Sequence, residues 1–312
     1  MIRLSESAIL DRVARAVHIP RGSIVRTGIG DDCAIIRPRG TTEDLLFTTD
    51  LLLENVHFRR DTHSAVDVGH KALARGLSDI AAMGGVPRFC LLSLAVAGWT
   101  TPRWIDGFYK GLLRLAARHQ MPLAGGDLAR AELVACDIVV CGAVPRGKAL
   151  LRSGARPGDL VYVSGHLGGA ALGLWHGSGS GWKCHLRPEP RVELGQMLRK
   201  SLHATAAMDL SDGLSLDLWR LCERSGVGAE IDDVPVFTGA SLELALHGGE
   251  DYELLFTVRP RQVVPAAFEG IPLTRIGRVV VHRGRERVRF RGEPLAPAGY
   301  DHFNTGAANV IR

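Results

Sequence analysis

The sequence predicts an α/β (α+β) protein of two domains, and three observations carry that prediction. Short β-branched or Leu-rich runs alternate with longer helical patterns through the first half. Residues 145–159, PRGKALLRSGARPGD, are rich in Gly, Pro and Arg and poor in periodic apolar positions, which marks a connection. A second α/β series follows, and 312 residues suffice for two cores at roughly 150 residues each. The expected division is 1–145 and 146–312.

In chain order, MIRLSESAILDRVARAV opens with an apolar helical stripe that mixes acids and bases. It lacks the uninterrupted apolar core of a signal peptide, and no apolar run approaches the ~20 residues that span a bilayer. A cytoplasmic protein with no membrane partner is expected. Strands are expected in DCAIIR, DLLFTTD, RFCLLSLAVA and the alternating LVACDIVVCGAV. Val66, His70, Leu73, Leu77 and Ile80 recur at three- and four-residue spacing and predict one helix; Ile105, Phe108, Leu112 and Leu115 predict another. After the connection come strand DLVYVSG, a helix opened by HLGGAALGL, a helix near RVELGQMLRKSL and strand AAMD. A helix begun at Ser211 and strands ELLFTV and LTRIGRVVV complete the series, and GSGSG at 177–181 reads as a mobile surface turn.

Six cysteines without a C-x-x-C pair lie mostly in apolar segments, which predicts buried free thiols in place of disulfide or zinc frameworks. The net charge of +5 comes from arginines spread along the chain. Such a balance attracts phosphorylated ligands, but no basic helix or aromatic stacking motif accompanies it, so no nucleic-acid partner is expected. For the same reason the Gly-Asp-Asp triplet does not indicate a polymerase.

Aspartates recur at the ends of expected strands, flanked by Gly, Ser or Thr. They are Asp31 and Asp32 in TGIGDDCAII, Asp50 ending FTTD, Asp127 ending LAGGD, and Asp209 and Asp212 in AAMDLSDGL. Asp79, in GLSDIAAMG, lies on a helix beside its apolar stripe. A single one reads as a helix cap, and Asp209 or Ser211 is placed to cap the helix that follows. Together they are hard oxygen ligands suited to Mg²⁺, which binds through carboxylates and substrate phosphates. ATP carries roughly four negative charges and a phosphate monoester ~2 more, so several ions are needed to bring both into an acidic cleft. GIG, GGD, SGHLGG and HGGED can offer backbone N–H groups to phosphate, although neither a P-loop nor a dinucleotide fingerprint is present. Adjacent residues on an extended segment point to opposite faces, so only one of Asp31 and Asp32 is expected to face the metals. The choice is Asp32, with Asp31 hydrogen-bonding its own turn.

Taken in order, GIGDDCA, TTDLLLENVHF, HKALARGLSDIAAMG, LAGGD, LLRSGARPGD, MDLSDGLSLDL, HGGEDYELLF and GYDHF resemble the thiamine-monophosphate kinase family. That family belongs to the superfamily that includes aminoimidazole-ribonucleotide synthetase, and the matching stretches run from about residue 28 to 303. Two departures are the absent N-terminal Gly-Glu, and Arg75-Gly76 where an Asn is common. The resemblance implies a two-domain aminoimidazole-ribonucleotide synthetase-like fold whose N-terminal mixed sheet forms a barrel-like interface in a homodimer. It implies phosphoryl transfer from ATP to thiamine monophosphate, giving thiamine diphosphate and ADP.

The implied Mg²⁺ ligands are Asp32, Thr48, Thr49, Asp50, Asp79, Asp127, Asp209 and Asp212. Tyr109, Gly126, Asp127, Arg152 and Ser211 are the implied ATP contacts, and His57, Glu250 and Tyr300 those of thiamine monophosphate. The acceptor phosphate, with a second pKa of about 6, is already a nucleophile, so neither a general base nor a covalent intermediate is expected. Without the resemblance, His57 reads as a cap and Arg152 as a solvated linker charge. Tyr300 reads as packing, though its ring also suits a cationic thiazolium. The choice between Glu250 and Asp251 stays open. Competing functions are another ATP-dependent superfamily member, acting on a formylglycinamidine, a carbamoyl group or selenide, and a non-catalytic Mg²⁺-nucleotide-binding protein.

Overall fold

The structure, a computed structural model, describes residues 6–300. Its first half comprises α1 (Glu6–Ala16), β1 (Val25–Thr27), β2 (Ala34–Ile36), β3 (Glu43–Leu53), α2 (Ala65–Ala82), β4 (Val86–Val96), α3 (Pro102–Arg118), β5 (Leu123–Arg130) and β6 (Ala135–Pro145). The strands form one sheet in the order β1-β2-β3-β6-β4-β5, antiparallel except for the β4–β5 pair. Within the chain this sheet stays open, with β1 and β5 at its edges.

The second half comprises β7 (Leu160–Ser164), α4 (Gly169–His176), α5 (Gly179–Leu186), α6 (Val192–Lys200), β8 (Ala206–Asp209), α7 (Leu214–Ser225) and β9 (Gly228–Ile231). It continues through α8 (Leu242–His247), β10 (Leu254–Val258), β11 (Ala267–Phe268), β12 (Ile271–Val280), β13 (Val288–Phe290) and β14 (Glu293–Pro294). The order is β14-β13-β9-β12-β7-β10-β8, with β11 paired to β12. Sheet membership therefore changes between Pro145 and Leu160, the stretch expected to connect the halves.

Two expectations fail locally. The GSGSG stretch is not all surface turn: α5 begins at Gly179, and Gly181 is buried against α4, where a Cβ on Gly173 would lie 2.2 Å from the Gly181 carbonyl carbon. Helix α7 begins at Leu214, and neither Asp209 nor Ser211 caps it. Its turn is closed from inside the helix, where Asp217 Oδ2 accepts from the N–H groups of Asp212 at 3.0 Å and Gly213 at 3.1 Å.

Helix α2 sets where the site lies. A reciprocal capping box fixes its start: Ser64 Oγ accepts from the Asp67 N–H, and the Asp67 carboxylate accepts from the Ser64 N–H. Leu73, Leu77 and Ile80 are fully buried in one cluster with Leu46, Ile138 and Val140 of the sheet. Burial of each such side chain is worth roughly 1.5–3 kcal/mol. Helix α3 crosses closely because glycines meet it: a Cβ on Gly69 would lie 1.9 Å from Phe108 O, and one on Gly111 2.0 Å from Val66 O. The same apolar cluster takes in Val192, Leu198, Phe256 and Leu273 of the second half. Lys71, Arg75, Ser78 and Asp79 recur at three- and four-residue spacing and so form a separate polar stripe on α2.

Candidate active site

Three carboxylates from separate elements converge. Asp32 comes from the turn before β2, Asp79 from α2 and Asp209 from the end of β8, and one oxygen of each lies within 4.8 Å of the others. Strand alternation sorts their neighbours on β3. Thr48 is buried and its Oγ1 donates to Asp79 Oδ2, and Asp50 shares that face. Ser78 Oγ donates to Asp209 Oδ2 at 2.7 Å. Burial first, then the neighbouring carboxylates, push Asp79 and Asp209 well above the usual carboxylate range. Arg152 Nε donates to Asp32 Oδ1 at 3.0 Å. Asp32 Oδ2 and Asp50 Oδ2 are buried with no hydrogen-bond partner among the described residues. Like charges packed this closely, with orphaned buried oxygens and an all-oxygen donor set, fit a hard divalent cation such as Mg²⁺ and do not fit zinc.

Asp31 turns the other way. Its Oδ1 accepts from the N–H of Asp32 at 3.3 Å and from that of Arg152 at 3.1 Å. It thus shapes its own turn and also ties the connecting segment to it. Burial, with Asp32 beside it, pushes its carboxyl up to about 6.

A cleft beside the three carboxylates is lined by Asp50, Asp79, Asp209, Ser211 and Asp212 together with His57, Glu250 and Tyr300. His57 Nδ1 accepts from the Leu53 N–H at 3.0 Å, so the neutral ring carries its proton on Nε2. Glu250 adopts φ 67° and Tyr252 φ 50°, left-handed conformations that non-glycine residues rarely hold outside constrained sites. The Glu250 N–H is anchored on Ser211 O at 2.8 Å. Asp251 instead accepts from Gly168 N–H at 2.7 Å and Ala170 N–H at 3.3 Å, where α4 begins, and burial pushes its carboxyl up to about 7. Of this pair, Glu250 is therefore the residue in the cleft. The Tyr300 N–H donates to Asp212 O at 3.1 Å. Asp301, His302 and Phe303 of GYDHF lie outside the described residues.

The structure does not bring four of the expected residues to this cleft. Tyr109 is half-buried on α3, edge-on to Phe108 at 5.6 Å. Asp127 is exposed on edge strand β5, in register with Ser93, itself in register with Asp137. Gly126 has a packing reason, since a Cβ there would lie 1.8 Å from Leu92 O. The Thr49 side chain points to the opposite sheet face, where Oγ1 donates to Asp137 Oδ1 at 2.6 Å. Conversely, sequence reasoning missed Lys71, Arg75 and Asp217. Lys71 is fully buried, and its Nζ reaches Glu250 Oε2 at 3.0 Å and His57 O at 3.2 Å. The available signal was the four-residue spacing of Lys71, Arg75 and Asp79.

Comparison with known proteins places the chain in a family. Residues 30–144 match the N-terminal domain of the AIR synthase related proteins, and residues 156–289 match their C-terminal domain. The thiamine-monophosphate kinase of Escherichia coli (strain K12) is 40% identical over 310 residues, covering 90% of this chain and 93% of that protein. The crystal structure of thiamine-monophosphate kinase from Stenotrophomonas maltophilia K279a is 39% identical, with a TM-score of 0.75 over 93% of this chain and 98% of that one. AaThiL complexed with AMPPCP and TMP is 32% identical, with a TM-score of 0.84 over 97% of this chain and 99% of that one. The chain belongs to the AIR synthase related proteins and, within them, to the thiamine-monophosphate kinase family.

Proposed function

We propose that this chain transfers the γ-phosphoryl group of ATP to the phosphate of thiamine monophosphate, giving thiamine diphosphate and ADP. The observation that carries the reading is the convergence of Asp32, Asp79 and Asp209 within 4.8 Å, beside a cleft lined by His57, Glu250 and Tyr300. Relatives named for this activity match most of the chain, and AaThiL binds AMPPCP, an ATP analogue, together with TMP. Bound Mg²⁺ supplies the positive charge that lets two phosphate groups meet in an acidic cleft. Asp32, Asp79 and Asp209 hold the ions, with Thr48, Asp50 and Asp212 around them. Arg152 and Ser211 bind ATP, and His57, Glu250 and Tyr300 orient the acceptor. The reading does not use Tyr109, Gly126, Asp127 or the Thr49 side chain. No residue takes a proton, because the acceptor ionises with a second pKa of about 6. Catalysis is then alignment and charge neutralisation. Residues 1–145 supply most of the metal set, and 146–312 close the cleft over the acceptor.

A coupled ADP-release assay tests this, with thiamine, thiamine monophosphate and aminoimidazole precursors offered separately, each with and without Mg²⁺. ADP is expected only when thiamine monophosphate and Mg²⁺ are both present. ATP binding without turnover on any acceptor would instead mark a nucleotide-binding protein.

The working unit in this reading is a homodimer. The face of the N-terminal sheet away from α2 carries large apolar residues around the polar Thr49 and Asp137, with Leu51 50% and Leu91 37% exposed and Phe47 edge-on to Phe89 at 6.4 Å. Near-continuous apolar strands are those of a sheet covered on both sides, and a second copy's sheet supplies the cover. Leu91→Glu is expected to shift the protein from dimer to monomer in light scattering, with its far-UV spectrum unchanged. A monomeric wild type would refute the dimer. All six cysteines are free thiols, in keeping with a reducing cytoplasm. No helix among the described residues is long and apolar enough to cross a membrane.

A further inference from the structure

Arg75 is the one arginine or lysine among the described residues lining the cleft, and its charge acts on the carboxylates of Asp50, Glu250 and Asp79. One fork of its guanidinium is held in place: Nη1 donates to Leu51 O at 3.0 Å, and Nη2 lies 3.2 Å from Asp50 Oδ1. Its Nε is buried and has no hydrogen-bond partner among the described residues. The side chain is only 14% exposed, so its charge acts in a desolvated setting where it is felt most strongly. An unmade donor on a buried guanidinium is costly and points to a ligand that completes it.

The chemistry of the acceptor supplies one. A phosphate monoester brings about two negative charges into a lining that is otherwise acidic, whereas the corresponding alcohol brings none. A guanidinium is permanently protonated, and its planar fork matches two phosphate oxygens. We propose that Arg75 is a specificity-determining residue: it binds the acceptor phosphate, so that the site takes a phosphate monoester and rejects the same molecule with a free hydroxyl. Asp50 is then a positioning residue that aims the guanidinium. The inference rests on the functional reading above, in which the acceptor is thiamine monophosphate.

Calorimetric binding of thiamine monophosphate and of thiamine to the full chain with Mg²⁺ tests it, in the wild type, Arg75→Lys and Arg75→Met. Arg75→Met is expected to weaken thiamine monophosphate by about 10- to 100-fold, the range of a hydrogen bond between charged groups. Thiamine itself should change by less than about twofold, and Arg75→Lys should recover part of the loss because it restores the charge without the fork. Thermal unfolding confirms that each variant is folded, and the lysine variant serves if the methionine variant is not. Wild-type binding of thiamine monophosphate with an unchanged preference over thiamine in the variants overturns the role of Arg75 alone. Inorganic phosphate separates the other failure. A wild type that ignores thiamine monophosphate but binds phosphate through Arg75 overturns the acceptor assignment and keeps the phosphate site.

Discussion

Asp32→Asn is expected to lower kcat by about 10²- to 10³-fold, the scale of losing one transition-state electrostatic contact. Asp31→Asn, one residue away, is expected to lower it by less than about tenfold, because an amide oxygen can still accept from backbone N–H groups. The difference follows from direction alone. Asp32 places one oxygen among the three converging carboxylates, and its Oδ2 is buried with no hydrogen-bond partner among the described residues. Asp31 spends its Oδ1 on the N–H groups of Asp32 and Arg152. Asp32→Asn also removes the negative partner of Arg152, so steady-state kinetics should be accompanied by an ATP-binding measurement. A larger loss in Asp31→Asn would reverse the assignment of the pair.

Lys71→Met is expected to destabilise the fold by about 3–5 kcal/mol, the usual result of deleting one member of a buried ion pair. Lys71 is fully buried, and its Nζ bridges Glu250 Oε2 and the His57 carbonyl. His185 Nδ1 stands 2.9 Å from the same Glu250 oxygen, and Trp182 stacks on the His185 ring at 5.2 Å. Removing the ammonium strands a carboxylate in that enclosure and loosens Glu250 and His57, the two residues proposed to bind the acceptor, together. The double variant Lys71→Met with Glu250→Gln deletes both charges, so it should recover much of the stability while remaining weak in acceptor binding. Urea unfolding of the single and double variants measures this. Additive losses in the double variant would show that the pair is not the source of the effect.

The parts of the molecule that were legible in the sequence are those where local pattern and tertiary environment ask for the same residues. RFCLLSLAVA and DLLFTTD read as strands because apolar residues dominate both faces of that sheet, and β3 contains DLLFTTD while β4 covers RFCLLSLAVA as far as Val96. Asp32 and Asp209 were visible because strand ends beside glycine or serine turns are where carboxylates can converge; Asp50, read as ending its strand, lies inside β3, which continues to Leu53. Asp79 needed the helix period as well. The illegible parts depend on distant neighbours. Helix α5 rises out of a glycine-rich stretch because Gly181 packs on Gly173, a contact that leaves no periodic trace. The start of α7 moved to Leu214 because Asp217, one turn inside, takes the N–H groups that a preceding cap would have taken. Lys71 and Arg75 were passed over because basic residues on a helix usually mark its solvated face. Here that stripe meets Glu250 and Asp50 from beyond the helix, and only the fold shows it.

In the proposed chemistry the ionised acceptor phosphate is itself the nucleophile, so the phosphoryl group passes straight from ATP to the acceptor. Quenching the protein with γ-labelled ATP, Mg²⁺ and thiamine monophosphate during turnover measures this most directly. All transferred label should appear in thiamine diphosphate and none on the denatured chain. Label held covalently by the protein, and chased into product by added acceptor, would contradict direct transfer.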